Sequence, residues 1–164
     1  MADAGASTMI ILVASLLVSG VASVVLIEAW GDLAESSDKI TSKRAADLET
    51  DVAISGDRGS TFLDNSGTPE FTLYFENIGS RHLNTTTYGI IVDGDAVDPT
   101  GFSMTLYPAS GIWAPGTVMS VIVSDASFAY SDGDRAMITI VVKSEATDGY
   151  VGSASDTEEV RFYE

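Results

Sequence analysis

The chain has 164 residues, no cysteine and one histidine, with 24 Asp and Glu against 8 Lys and Arg, for a formal net charge of -16. That charge repels nucleic acid and anionic lipid surfaces, and the lack of cysteine removes disulfides, thiolate nucleophiles and cysteine-based zinc or iron sites. With the apolar N-terminus set aside, about 115 residues remain, room for one β domain and not for two large ones. Two uses of the excess acid fit equally well: a surface kept hydrated at high salt, or a face turned to a cationic partner.

From Ala4 to Ile27 no side chain is charged. A helix of that length reaches roughly 36 Å, enough to cross a bilayer core of about 30 Å, so residues 4–27 are expected to lie in membrane lipid or in a filament core. A cleaved secretory signal fits less well. Met1-Ala2-Asp3 carries no Lys or Arg, and the apolar run exceeds the usual stretch of about 7–15 residues. No basic residue precedes the run in this numbering, so no prepilin-type leader is expected unless one has already been removed.

Ser7, Ser15, Ser19 and Ser23 recur at intervals of four or eight, which puts them on one helix face with Gly20 and Ala22 close by. The plain reading is a lone anchor whose serines bond back to their own helix. The alternative is a stripe of small residues along which helix backbones approach closely, and these four serines are the expected helix-packing residues.

Beyond Ile27 the chain turns polar but stays free of proline to Leu48, with Trp30 where an interfacial aromatic belongs and a thin apolar stripe of Leu33, Ile40 and Leu48. Residues 1–48 are therefore expected to form a hydrophobic helix with a polar stalk, with Gly31 as a place where it can bend or break. Residues 49–164 form an acidic β domain. Lys39, Lys43 and Arg44 follow the apolar run, so the positive-inside count favours a cytoplasmic C-terminus. Acidic residues are interleaved with these charges and long domains translocate regardless of loop charge, so a β domain on the outside remains the expectation.

After Thr50 short alternating runs are separated by Gly, Asp, Asn and Pro, the texture of a sandwich or barrel. The expected strands are Asp51–Ser55, Glu70–Asn77, Thr87–Asp93, Phe102–Tyr107, Thr117–Ser124, Arg135–Lys143 and Glu158–Tyr163. Seven strands suit an immunoglobulin-like antiparallel β-sandwich, which with the long helix makes an α+β protein. Phe71, Leu73 and Phe75 form one inward row. Ala136, Ile138, Ile140 and Val142 form another, and Met137 and Val141 opposite them suggest a central strand covered on both faces.

Asp93-Gly94-Asp95 and Asp132-Gly133-Asp134 read as tight turns, because glycine accepts positive φ. Calcium needs six or more oxygens, which Asp93, Asp95 and Asp98 supply in part but without the spacing of an EF-hand loop. Asn84-Thr85-Thr86 is an N-glycosylation sequon on an expected loop, meaningful if the domain faces outward. Trp113-Ala114-Pro115-Gly116 reads as a turn with Trp113 buried over the sheet rather than exposed as a ligand platform. His82, in a polar stretch, reads as a solvated loop residue rather than a base or metal ligand. No phosphate-binding glycine loop and no set of nucleophile, base and orienting acid can be assembled from these residues. No catalytic residue, cofactor or metal ion is assigned.

Thr50-Asp51, the strand ending Tyr74-Phe75-Glu76-Asn77-Ile78-Gly79, the Asp93-Gly94 turn with Val97, Trp113-Ala114-Pro115-Gly116, and Ser15-Leu16-Leu17-Val18-Ser19-Gly20 occur in an order that resembles the archaellar protein G family, over nearly the whole chain. The family's Asn-Thr-Gly turn has Ile78 in its middle here, and Glu76 stands where a Lys is common. The resemblance implies a pilin-like helix in the cytoplasmic membrane of an archaeal cell, a β domain beneath the surface layer, and a non-catalytic, stator-like part in the motility apparatus. Archaellar protein F, the surface-layer protein and further copies of the chain are the implied partners. The archaellin or pilin of the surface filament shares this plan, with the helix in a filament core instead of lipid. A membrane-tethered module binding calcium or glycan through the sandwich loops is the third expectation.

Overall fold

The computed structural model describes residues 3–164. One helix, α1, runs from Asp3 to Glu49. It passes Gly31, a place where it could bend or break, without interruption. A single glycine costs a helix about 1 kcal/mol relative to alanine, and the surrounding run holds no proline to add to that. The Lys39–Glu35 ion pair and the bond from the Thr41 hydroxyl to the Ser37 carbonyl support the polar half. The chain falls into two compact units, Met1–Ser42 and Lys43–Glu164, so the last helical turns belong to the β unit.

Nine strands follow: β1 (Ala53–Ser55), β2 (Thr61–Asp64), β3 (Glu70–Glu76), β4 (Gly89–Val92), β5 (Asp95–Ala96), β6 (Phe102–Tyr107), β7 (Val118–Ser124), β8 (Arg135–Lys143) and β9 (Ser153–Tyr163). They form one continuous sheet in the order β5-β4-β8-β9-β2-β3-β7-β6, with β1 added on β3. Every pairing is antiparallel except β2 with β9, where Thr61 lies opposite Phe162. The fold is thus α+β: a long apolar helix followed by a curled, mixed sheet.

The β2 strand closes the arrangement by pairing with β3 on one side and β9 on the other. Phe71, Leu73 and Phe75 of β3 and Met119, Val121 and Val123 of β7 then share one buried cluster with Ile90 and Val92 of β4 and Ala136, Ile138, Ile140 and Val142 of β8. Phe71 and Phe162 meet at 5.0 Å across this core, and Tyr130 packs on Phe162 at 4.8 Å.

Strands β6 and β8 have the expected bounds, and the others differ for local reasons. β4 starts at Gly89 because the Asn84 side chain holds the N–H groups of Thr86 and Thr87 in a turn. It ends at Val92 because Asp93, at φ 51, and Gly94, at φ 93, form the tight turn into β5. β1 starts at Ala53, after the Asp51 carboxylate takes the Val52 N–H.

β9 starts five residues before the expected Glu158. Its first five residues, Ser153-Ala154-Ser155-Asp156-Thr157, are small or polar, yet the strand stays paired with β8 from Ser153 opposite Lys143 to Arg161 opposite Arg135. β2 and β5, at four and two residues, are too short to show a period. Met137 and Val141 lie on an open face, 46% and 38% exposed, so β8 is central in the sheet but buried on one side.

Truncating Ile138, fully buried among β4, β8 and β9, should cost about 2–5 kcal/mol, whereas Met137→Ala on the open face should cost less than about 1 kcal/mol. Denaturant unfolding of the two variants in detergent, followed by β-sheet circular dichroism, measures the difference.

Candidate functional site

Every large apolar side chain between Met9 and Ile27 is 52% to 71% exposed. A helix apolar on all sides requires an apolar environment, and no described residue of the chain supplies one. The segment is long and apolar enough to cross a membrane. On one side, Ser15, Ser19, Gly20 and Ser23 line a shallow groove together with Leu12 and Leu16. The Ser15 hydroxyl donates to the Leu12 carbonyl at 2.9 Å and that of Ser23 to the Ser19 carbonyl at 2.8 Å. Their hydrogen bonds are thus made within the helix, and what they offer a neighbour is a low profile. At about 100° per residue, Ser7 is rotated roughly 80° from Ser15 and 160° from Ser23, so it does not share that groove. The four-residue spacing conceals this drift.

The second constellation is the end of α1 where it enters the β unit. Ala46 is fully buried. Thr50 returns its hydroxyl to the Ala46 carbonyl at 2.7 Å and its N–H to the Asp47 carbonyl, which satisfies carbonyls that a helix end leaves open. The Glu49 carbonyl accepts from the N–H groups of Ser80 and Arg81, and the Arg81 guanidinium reaches the Glu49 carboxylate at 2.7 Å. The Asp47 carboxylate accepts from the Ser153 N–H at 2.9 Å and from Lys43.

Two glycines allow this approach. A Cβ on Gly79 would stand 2.6 Å from both the Asp51 nitrogen and the Glu49 carbonyl oxygen, and one on Gly152 would overlap the Thr50 hydroxyl and the Ala46 carbonyl.

Asn77 ties the same region to the sheet. Fully buried, it donates through its amide to the carbonyls of Arg81 and Trp113 at 2.8 and 2.9 Å and accepts from the Gly79 N–H. Trp113, also fully buried, donates its indole N–H to the Thr117 carbonyl at 3.0 Å. Thr50-Asp51, Asn77-Ile78-Gly79 and Trp113-Ala114-Pro115-Gly116, far apart in sequence, are therefore parts of one hydrogen-bonded junction.

The acidic turns serve local structure. Asp93 accepts from the Tyr130 hydroxyl and the Met137 N–H, both at 2.7 Å. Burial, then the acceptor Asp93, pushes the Tyr130 hydroxyl up from its ordinary pKa. Asp98 takes the N–H and hydroxyl of Thr100, and Asp125 those of Ser127. These bonds hold both carboxyls below the usual range. Asp95 is exposed beside the β4–β5 turn, and among the described residues no three His, Asp or Glu side chains gather in metal-binding geometry. His82 is exposed, and its carbonyl accepts from the Glu145 N–H. Asn84 accepts from the N–H and hydroxyl of Thr86, both at 2.8 Å.

The chain matches the archaeal-type flagellin family over residues 2–151, a span that takes in the apolar helix, most of the junction and all strands of the sheet but β9. It belongs to that family. A search of curated proteins finds no match. The archaeal-type flagellins are structural filament proteins without enzymatic activity, so this member is a structural component of the archaellum, associated with the cell surface and belonging to a family that self-assembles.

Adding one methyl group at Gly152, by Gly152→Ala, should destabilise the junction by about 1–3 kcal/mol, while Gly67→Ala, with open space around it, should stay within about 0.5 kcal/mol. Unfolding midpoints of the two variants provide the comparison. The Asp47 carboxyl is held below its ordinary value of 3.8, first by Lys43 and then by Ser153. Its stabilisation is present above pH 3.8 and fades as the pH falls below that value. Acid titration of Asp47→Asn should show lower stability at neutral pH and a shallower loss on acidification than the parent chain.

Proposed function

We propose that the chain is a subunit of the archaellar filament, with residues 4–27 packed among copies of themselves in the filament core and the β domain facing outward. The observation that carries this reading is the flagellin family match running through both the helix and the sheet. The uncovered apolar surface of the helix supports it. Ser15, Ser19 and Ser23, with Gly20, form the packing face, and Ser7 contacts a different neighbour.

An outward β domain also makes Asn84 a glycan acceptor. Its side chain sits in a turn that brings the Thr86 hydroxyl to the amide oxygen, beside residues exposed to solvent.

A second reading is a stator-like component, anchored in the cytoplasmic membrane with its β domain outside and meeting archaellar protein F and the surface-layer protein. It is favoured by the residue series that resembles the protein G family, because three of its members, Thr50-Asp51, Asn77-Ile78-Gly79 and Trp113-Ala114-Pro115-Gly116, form one junction rather than scattered turns.

Peptide mass spectrometry of sheared filaments and of membranes from the same cells separates the two. Abundance in filaments supports the subunit, and low copy number confined to membranes supports the stator-like part. Ser19→Leu should weaken assembly by widening the closest helix contact while leaving the circular dichroism of the β domain unchanged. Assembly at the parent's concentration would show that Ser19 is not at the interface.

A further inference from the structure

The two ends of the strand order differ in how they are protected. At one end β5 has two residues, Asp95 and Ala96, and follows a turn through Asp93. A short, acidic edge of this kind discourages pairing with other chains. At the other end β6 has six residues, Phe-Ser-Met-Thr-Leu-Tyr, with neither charge nor proline among them. It pairs with β7 along its whole length on one side, and no described strand pairs with the other. Ser103, Met104, Thr105 and Tyr107 are exposed.

Charge is missing from the surroundings as well. Between Asp98 and Asp125 there is no Asp, Glu, Lys, Arg or His, in a chain of net charge -16. This segment contains β6, the following turn with exposed Ile112, and β7 with exposed Ile122.

We infer that the free edge of β6 is a docking surface for a second copy of this chain. Charge identifies the occupant. A cationic partner would be drawn to the carboxylates elsewhere on the molecule, whereas a second copy is as anionic as the first. Strand pairing brings backbones to about 4.8 Å, inside a Debye length of about 8 Å at physiological salt, so like-charged copies can pair only along an edge without charge. Lipid is a poor occupant, because the unpaired N–H and C=O groups of an edge strand stay unsatisfied in hydrocarbon.

The inference rests on the assembly proposed above and adds a contact between β units to the packing of helices.

Hydrogen–deuterium exchange of the full chain, assembled and then dispersed in detergent, tests it. On assembly, peptides covering Phe102–Tyr107 should slow by about tenfold or more while those covering β5 do not change. Thr105→Lys should raise the concentration needed for assembly by about tenfold, with unchanged exchange in β8 showing that the variant is folded. Assembly with unaltered exchange in β6, equal protection in detergent, or a lysine variant that assembles like the parent would each overturn the docking surface and leave the helix-core reading intact. A parent chain that does not assemble at all would remove both.

Discussion

An uncharged helix of roughly seven turns cannot remain in water, and this constraint orders the whole molecule. Each large apolar side chain gains about 1.5–3 kcal/mol on leaving water, and more than a dozen of them between Met9 and Ile27 find no cover in their own chain. Such a helix lies in lipid or among copies of itself. In the filament-subunit reading proposed above it is an assembly element, and the small residues Ser15, Ser19, Gly20 and Ser23 fit that use, with the hydroxyls of Ser15 and Ser23 bonded within the helix. A neighbour meets a low, neutral surface rather than a set of unpaired donors.

The β unit carries the opposite chemistry. Its carboxylates keep the surface wet, while the turns use several of them as acceptors for nearby N–H groups, as at Asp93, Asp98 and Asp125. The core depends on none of these charges. It is closed by β2, which bonds to β3 and β9 and so joins the two halves of the sheet around Phe71, Ile138 and Phe162. The end of α1 is built into the same unit through Ala46, Thr50 and the close approaches at Gly79 and Gly152.

Much of this was legible in the residues. The run from Ala4 to Ile27 announced its helix by the lack of charge, and the rows at Phe71, Leu73 and Phe75 and at Ala136 to Val142 announced buried strand faces by period. Trp113 is buried as its turn context suggested. β2 was hidden because four residues contain too few alternations, and the first half of β9 because small and polar residues carry no apolar row in a strand that is set by pairing with β8. The rotation of Ser7 away from the groove follows from 3.6 residues per turn, which a count of four-residue steps overlooks. The junction had no local signal: Thr50, Asn77 and Trp113 are each ordinary in their own segment, and their common role exists only once the sheet brings them together.

The chain lacks cysteine, which makes one measurement especially direct. Ser19→Cys can be tested for labelling by a water-soluble maleimide in sheared, membrane-free filaments and again after the filaments are dissociated. If the helix is packed among its own copies, the thiol is protected in the intact filament and reacts once the subunits separate. Equal labelling in both states, or absence of the chain from filaments, would contradict a helix buried by assembly.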